Sequence, residues 1–139
     1  MDFVWTKKLA VGVKEIDIQH RVLFKRIDDL LKAMEQDLGE DAGHIERFFD
    51  FLEDYAASHF KMEQKAMAVY KYPDREAHLK EHDVFTRAID ELKLTYKSGG
   101  ATSELKAELK ERLCDWLVNH VSEVDKALGT FLKPRAKAL

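Results

Sequence analysis

Cysteine is almost missing from this sequence: Cys114 is the only one among 139 residues. A lone cysteine excludes a disulfide within the chain and is typical of proteins that work in a reducing cytoplasm. We therefore expect a cytoplasmic protein in which Cys114 is a small buried hydrophobic residue on a helix.

Long apolar runs and an excess of basic residues are missing too. No apolar run approaches the ~20 residues that a transmembrane helix needs, and residues 1–8 lack the order of charge and apolar core that marks a signal peptide. The formal net charge of −3 leaves no basic surface for nucleic acid. We expect neither a membrane nor a nucleic-acid partner, and the length suggests a single domain.

Strand-like alternation, internal repeats and low-complexity segments are absent as well. Apolar residues instead recur every three or four positions in four stretches, which is the pattern of amphipathic helices. We expect an all-α fold, an up-down-up-down antiparallel four-helix bundle with an N-terminal extended arm. The expected single domain covers 1–139, with the arm at 1–15, helices at about 17–37, 44–70, 73–97 and 102–120, and a short C-terminal helical segment to about 132.

Two short stretches each place two possible metal ligands four residues apart. These are His59 with Glu63, and His78 with His82. A spacing of four returns a helical side chain to nearly the same face, so both members of each pair point one way. All four lie on apolar stripes, where an ionised Glu63 would need a cation because burying an unpaired carboxylate costs several kcal/mol.

The positions of these residues along the helices predict that they meet. His20 comes early in the first helix and His120 late in the fourth, while His59 is late in the second and the pair His78 and His82 early in the third. Because antiparallel neighbours alternate in direction, all five histidines should lie at one end of the bundle. A single histidine on an apolar face is usually an ordinary core residue, but five at one level with a glutamate indicate a metal site. Ligand type alone leaves zinc, copper, nickel and iron open, although the ligands are too many for one tetrahedral zinc.

In combination these motifs resemble the hemerythrin family, in particular its bacterial single-domain members. The resemblance covers nearly the whole chain, from Trp5 to Leu132. In chain order the matching stretches are 11–13 (VGV), 16–20 (IDIQH), 59–63 (HFKME), 72–73 (YP), 78–82 (HLKEH) and 116–120 (WLVNH), followed by Asp125.

The resemblance implies a non-haem centre of two iron ions that binds O2 reversibly, for storage, delivery or sensing. It implies that one iron is six-coordinate and the other five-coordinate, with O2 bound end-on as hydroperoxide at the latter. Carried over by position, the first iron takes His78, His82 and His120, the second takes His20 and His59, and Glu63, Asp125 and an oxo or hydroxo group bridge the two.

The choice of Asp125 conflicts with a regular helix. Asp125 lies five residues after His120, about 140° away around an α-helix, whereas Glu123 lies closer to the face of His120. A purely helical interpretation would choose Glu123. We expect Asp125 to be the ligand, which requires a π-bulge or an end to the regular helix after His120. Gln64, where relatives commonly carry an acidic residue, is expected to face away from the metals.

Apolar residues next to the ligands are interpreted both as bundle core and as a dry pocket over the open iron. A dry pocket would protect bound O2 from protonation and loss. The residues expected to line it are Leu23, Phe24, Phe60, Trp116, Leu117 and Val121.

We expect a binding protein and not an enzyme. Two alternatives stay open on the same centre, an enzyme acting on peroxide or nitric oxide and a module for iron storage or sensing. The expected partner is O2, with NO, azide or other small anions at the same position, and the expected state is a monomer or weak homo-oligomer.

Overall fold

The computed structural model of the chain describes residues 3–36 and 42–135, with the side chains of 42–44 left out. Its first three long helices are α1 (Lys14–Glu35), α2 (Ala42–Val69) and α3 (Arg75–Gly99). The fourth, α4, is one continuous helical rod over 103–132 that contains two π-helical turns. Its segments are Ser103–Leu109 (α), Lys110–Asp115 (π), Trp116–Asn119 (α), His120–Asp125 (π) and Lys126–Leu132 (α). No strand occurs in these ranges, and the expected all-α four-helix bundle is confirmed.

The core forms along the predicted apolar stripes. Consecutive helices contact each other, and α1 also contacts α4, so that the four helices close around a shared interior. Short connections make neighbours antiparallel. The largest side chains with almost no exposure come from the expected stripe positions, among them Phe24, Phe49 and Phe85. Among the helices of the described ranges, none is long and apolar enough to cross a bilayer.

Helix α1 begins at Lys14, three residues before the expected start. The N–H of Asp17 donates to the carbonyl of Val13 (3.0 Å), which places Asp17 inside the first helical turn. Its carboxylate accepts from the N–H of Val11 (2.8 Å) and so holds the preceding arm against the helix start. The expected end at 37 falls among residues 37–41, which lie outside the described ranges; α1 ends at Glu35, and α2 begins at Ala42, two residues before the expected 44.

Local hydrogen bonds and backbone conformation set the boundaries of α3 and α4. Helix α3 begins at Arg75 and not at Pro73, because the Arg75 N–H donates to the Tyr72 carbonyl (3.3 Å) and closes a turn there. Helix α3 ends at Gly99 and is followed by Gly100, whose φ of 75° is a conformation that favours glycine. The Thr102 side chain then caps α4 by accepting from the Leu105 N–H (3.1 Å). Regular α-helix ends at Asn119, beside the expected end at about 120, and the expected C-terminal segment to about 132 joins it directly through a π turn and ends at Leu132.

The N-terminal arm lies along the bundle as expected, with a short 3-10 turn at Lys7–Leu9. The Phe3 ring stacks on Phe24 with centroids 4.5 Å apart, and the Phe3 N–H donates to the buried carboxylate of Asp28 (3.0 Å). Val11 is also buried. It contacts α4 at Gly129, where an added Cβ would lie 2.2 Å from the Val11 carbonyl oxygen. The arm is therefore an integral layer of the fold beside α1 and α4.

Candidate metal centre

Seven polar side chains from all four helices meet in the interior. Each of them is at most 3% exposed to solvent. They are His20 from α1, His59 and Glu63 from α2, His78 and His82 from α3, and His120 and Asp125 from α4. These are the seven residues that the resemblance implies as ligands.

Three histidines face one oxygen of each carboxylate. His82 Nε2 lies 3.0 Å and His78 Nε2 3.2 Å from Oε1 of Glu63. Oδ1 of Asp125 lies 3.1 Å from His78 Nε2 and 3.2 Å from His120 Nε2. One ligand atom from each of these five residues lies within 4.8 Å of the others, which is a spacing that suits a single cation. We call His78, His82 and His120 the three-histidine set.

The two remaining histidines face the other oxygen of each carboxylate. His20 Nε2 lies 2.9 Å from Oδ2 of Asp125, and His59 Nε2 lies 3.3 Å from Oε2 of Glu63. We call His20 and His59 the two-histidine set; with the same two carboxylates it forms a second group of ligand atoms within 4.8 Å of one another. Glu63 and Asp125 thus belong to both groups, as bridging carboxylates would.

The π turn at His120–Asp125 turns the Asp125 side chain inward. Asp125 is 1% exposed, whereas Glu123, the choice of a regular helix, points to solvent. Of the two alternatives expected after His120, a π-bulge or an end to the regular helix, the structure has the π-bulge. Gln64 is exposed, as expected for a residue that faces away from the centre.

Two polar residues behind the ligands were missed by sequence reasoning. Gln19 Oε1 lies 2.5 Å from Nδ1 of His59, and Glu81 Oε1 lies 3.2 Å from Nδ1 of His120. A histidine that binds metal through Nε2 carries its proton on Nδ1 and needs such an acceptor. The helical pattern placed Glu81 on the outer face of α3. Both residues could have been found by looking for a hydrogen-bond acceptor near each histidine ligand.

Aromatic rings pack against the three-histidine set. The Phe60 ring stacks on His82 (centroids 3.9 Å), and the Trp116 ring stacks on His120 (4.5 Å) and on Phe85 (4.7 Å). Phe60 also reaches His59, with centroids 5.8 Å apart. Trp116 was expected to line the pocket over the open iron, which would be held by the two-histidine set. Its ring instead contacts His120 of the three-histidine set.

The other residues expected to line the pocket are deeply buried. Leu23, Phe24, Leu117 and Val121 are each at most 1% exposed and belong to the continuous apolar core. Their contribution to a ligand pocket stays a prediction.

Charge in this interior is balanced between carboxylates and imidazoles. Burial would raise the pKa of Glu63, but the neighbouring histidines, His59 foremost, hold it well below its ordinary value. Burial likewise opposes the downward shift of the Asp125 pKa, which His120 and His20 cause. The pKa of His78 rises to about 9 against burial, because the carboxylates of Asp125 and Glu63 both lie close to its Nε2. Both carboxylates are therefore stable as anions only with positive charge beside them.

The donor set fits a pair of cations better than it fits hydrogen bonding alone. Buried polar atoms in native proteins are nearly always paired, and each unpaired one costs ~1–3 kcal/mol. Several atoms here lie close to one another but make no hydrogen bond of acceptable geometry among the described residues, and they belong to the two groups defined above. They include Nε2 of His20, His59, His82 and His120, Oε2 of Glu63, and both oxygens of Asp125. Metal ions between them would satisfy these atoms together.

Comparison with known proteins identifies relatives of the same kind. A family model described as "Hemerythrin HHE cation binding domain" matches residues 11–132. A bacteriohemerythrin from Stenotrophomonas maltophilia is 31% identical over 130 residues, covering 94% of this chain and 81% of the relative. A bacteriohemerythrin from Methylococcus capsulatus is 31% identical over 129 residues, covering 92% and 95%. A myohemerythrin from Theromyzon tessulatum is 28% identical over 123 residues, covering 88% of each chain.

Proposed function

This chain belongs to the hemerythrin family, and from that premise we propose that it binds O2 reversibly at a centre of two iron ions. The observation that carries the proposal is the unequal division of five histidines around two shared carboxylates. When bound, the iron pair would supply the two electrons that hold O2 and would recover them on release.

The proposed ligand set follows that division. His78, His82 and His120 would hold one iron, His20 and His59 would hold the other, and Glu63 and Asp125 would be shared by both, together with an oxo or hydroxo group. Counting ligands supports six-coordination on the side of the three-histidine set and an open sixth position on the side of the two-histidine set. O2 therefore has one place to bind.

The chain's own residues protect that place from water. Leu23, Phe24, Leu117 and Val121 contribute apolar side chains that are almost fully buried. The Phe60 ring contacts one histidine of each set, His82 and His59. We propose that this dry interior keeps bound O2 from being protonated and lost. Small ligands such as NO and azide would compete for the same position.

We propose a binding protein and not an enzyme. Among the described residues, the buried polar side chains are the seven proposed ligands and Asp28. Asp28 is held by the Phe3 N–H and by Lys32. All buried acids and bases are therefore assigned to metal binding or to holding the arm, which supports binding over catalytic turnover. A cytoplasmic location and a monomeric or weakly associating state belong to the same proposal.

An optical titration tests the proposed function. The apoprotein is loaded with Fe²⁺ without air and then exposed to O2, and a visible charge-transfer band should appear and disappear again under vacuum. His82→Ala should leave fewer than two irons bound. A protein that takes up two irons but gives no reversible band would disprove reversible O2 binding.

A second variant separates the pocket from the ligands. Leu117→Asn should keep both irons and accelerate autoxidation, because it brings a polar group into the dry interior. The control is Val118→Asn, at the neighbouring position, where the side chain is 36% exposed. Equal autoxidation rates in the two variants would show that Leu117 does not line the pocket.

A further inference from the structure

The metal centre is closed to solvent, yet cations must reach it. A cavity of about 400 Å³ lies beside it, between the start of α3 and the last third of α4. Asp74, Glu81 and Glu123 contribute carboxylates to its wall, and His78 lies at its inner side. The same cavity therefore borders both solvent and one of the proposed ligands.

The charge of this cavity suits a divalent cation. Three carboxylates line it, and no lysine or arginine is among the described residues of its wall. A cleft lined by charge of one sign concentrates oppositely charged solutes and accelerates their binding. Carboxylate oxygen and imidazole nitrogen are both accepted by ferrous iron.

Two wall residues connect the cavity with the centre. His78 is 1% exposed, and its Nδ1 has no hydrogen-bond partner among the described residues. Its other ring nitrogen lies within 3.2 Å of both Glu63 and Asp125, so the His78 ring separates the cavity from the carboxylates. The Glu81 side chain is 40% exposed, and its Oε1 lies 3.2 Å from Nδ1 of His120. The inner wall thus includes one member of the three-histidine set, His78, and one residue that contacts another member, Glu81.

We propose that this acidic cavity is the route by which ferrous iron reaches the centre. Asp74 and Glu123 attract the hydrated cation, and Glu81 passes it inward beside His78 to the three-histidine set. No electron transfer is involved in this step, and the waters released from the cation leave through the same opening. The inference rests on the proposed function, because it takes the seven buried side chains to be the final metal site.

The rate of metal uptake tests the route without any O2 chemistry. Apoprotein is mixed with Co²⁺ in a stopped-flow instrument. The visible absorption bands of protein-bound Co²⁺ report when the ion reaches the buried ligands. The charge variant combines Asp74→Asn and Glu123→Gln. Asp74 precedes α3 without a side-chain capping hydrogen bond, so the substitution removes charge and not a cap. We expect uptake to slow by about fivefold at low salt, and the difference to vanish near ~0.5 M salt because surface charges are then screened.

Two further variants separate attraction from passage. The matched control combines Asp54→Asn and Glu108→Gln, two exposed acidic positions that do not line the cavity. It has the same net charge as the charge variant and should load at the wild-type rate. Ala127→Leu narrows the cavity without changing charge, and it should slow uptake at every salt concentration.

The final iron content completes the test. The charge variant, the control and Ala127→Leu should all reach two Fe²⁺ per chain after long anaerobic incubation. Wild-type uptake by the charge variant at low salt, or equal slowing in the control, would overturn the route. A charge variant that never reaches two irons would also overturn it, because Asp74 or Glu123 would then belong to the binding site itself. Wild-type protein that loads through this cavity but binds no O2 would disprove the proposed function alone.

Discussion

Single hydrogen bonds hold the imidazole rings of the centre from behind. Gln19 faces Nδ1 of His59 with a neutral amide oxygen, whereas Glu81 faces Nδ1 of His120 with a carboxylate. A carboxylate acceptor makes a metal-bound imidazole more basic than an amide does. The weaker acceptor, the Gln19 amide, thus supports His59 of the two-histidine set, where the open position is proposed.

Removal of the Gln19 amide should weaken metal binding. In Gln19→Ala, the His59 ring loses the acceptor that fixes its tautomer and orientation, so we expect affinity at the two-histidine set to fall by about 10–100-fold. Competition against a chelator of known strength measures this. Gln19→Glu retains an acceptor and should restore most of the affinity.

Gln64→Ala is the matched control for Gln19. It makes the same substitution one residue after the ligand Glu63, at an exposed side chain. We expect its metal affinity to equal that of wild type. If Gln19→Ala also kept wild-type affinity, its hydrogen bond to His59 would have no part in metal binding.

Residue spacing was enough to find the ligands but not their supports. His59, Glu63, His78 and His82 are recognisable because spacings of four on apolar stripes have a simple geometric meaning. Gln19 and Glu81 carry no such signal, because half-buried polar residues on a helix are common. Only the distance to a specific imidazole on another helix distinguishes them.

At the scale of elements, the π turn of α4 decides which acid enters the centre. A regular helix would turn Val124 toward the core, but the structure buries Val121 and Asp125 and leaves Val124 partly exposed. The family resemblance predicted this turn through Asp125. The first π turn, Lys110–Asp115, had no counterpart in the sequence interpretation, since the buried leucines 105, 109, 113 and 117 keep an ordinary spacing of four across it.

The π turn predicts opposite outcomes for two neighbouring acids. Asp125→Asn should leave fewer than two metal ions bound, because a neutral amide cannot replace a bridging carboxylate between two cations. Glu123→Gln should bind two, because its side chain points to solvent. Metal analysis after gel filtration measures both, and the reverse outcome would mean that α4 is regular in solution.

Contact between the arm and α4 depends on Gly129. A Cβ there would lie 2.2 Å from the carbonyl oxygen and 2.9 Å from the Cβ of Val11, so backbone would have to move. We expect Gly129→Ala to lower the free energy of unfolding by about 1–3 kcal/mol, the usual cost of overpacking. Denaturant unfolding monitored by circular dichroism measures it.

Gly99→Ala is the control for that substitution. Gly99 is the last residue of α3, and an added Cβ would meet nothing within 4 Å. Alanine has the higher helix propensity, so this variant should be neutral or more stable by less than ~1 kcal/mol. Equal effects at both glycines would show that the arm does not pack on α4.

For the whole molecule, pH dependence outside the metal centre arises where α2 packs on α3. Glu53 of α2 and Asp90 of α3 share a hydrogen bond, which together with burial raises the pKa of Glu53 to about 7. Lys93 of α3 is paired with Asp50 of α2 in the same contact, and its positive charge partly opposes the rise in the Glu53 pKa. Glu53 therefore binds a proton in the folded protein at a pH where an ordinary glutamate does not.

The sign of the effect on stability follows from proton binding. Between the unfolded value of 4.5 and the folded value of about 7, the native protein binds more protons at Glu53 than the unfolded chain does. The free energy of unfolding must then fall as pH rises through that window. Glu53→Gln can still donate a hydrogen bond to Asp90 and does not titrate. We expect it to be more stable than wild type at pH 8, by less than about 1 kcal/mol because the pair is partly screened by solvent.

Denaturant unfolding at a series of pH values from 5 to 8 measures this difference. Titration of the metal-site histidines is common to both proteins, so it cancels when the wild-type curve is subtracted from that of the variant. The difference should grow with pH and level off above the folded pKa of Glu53. Asp54→Asn, at the next position but on an exposed side chain, should give a flat difference. Parallel curves for Glu53→Gln and wild type would mean that Glu53 ionises in the folded bundle as it does in the unfolded chain.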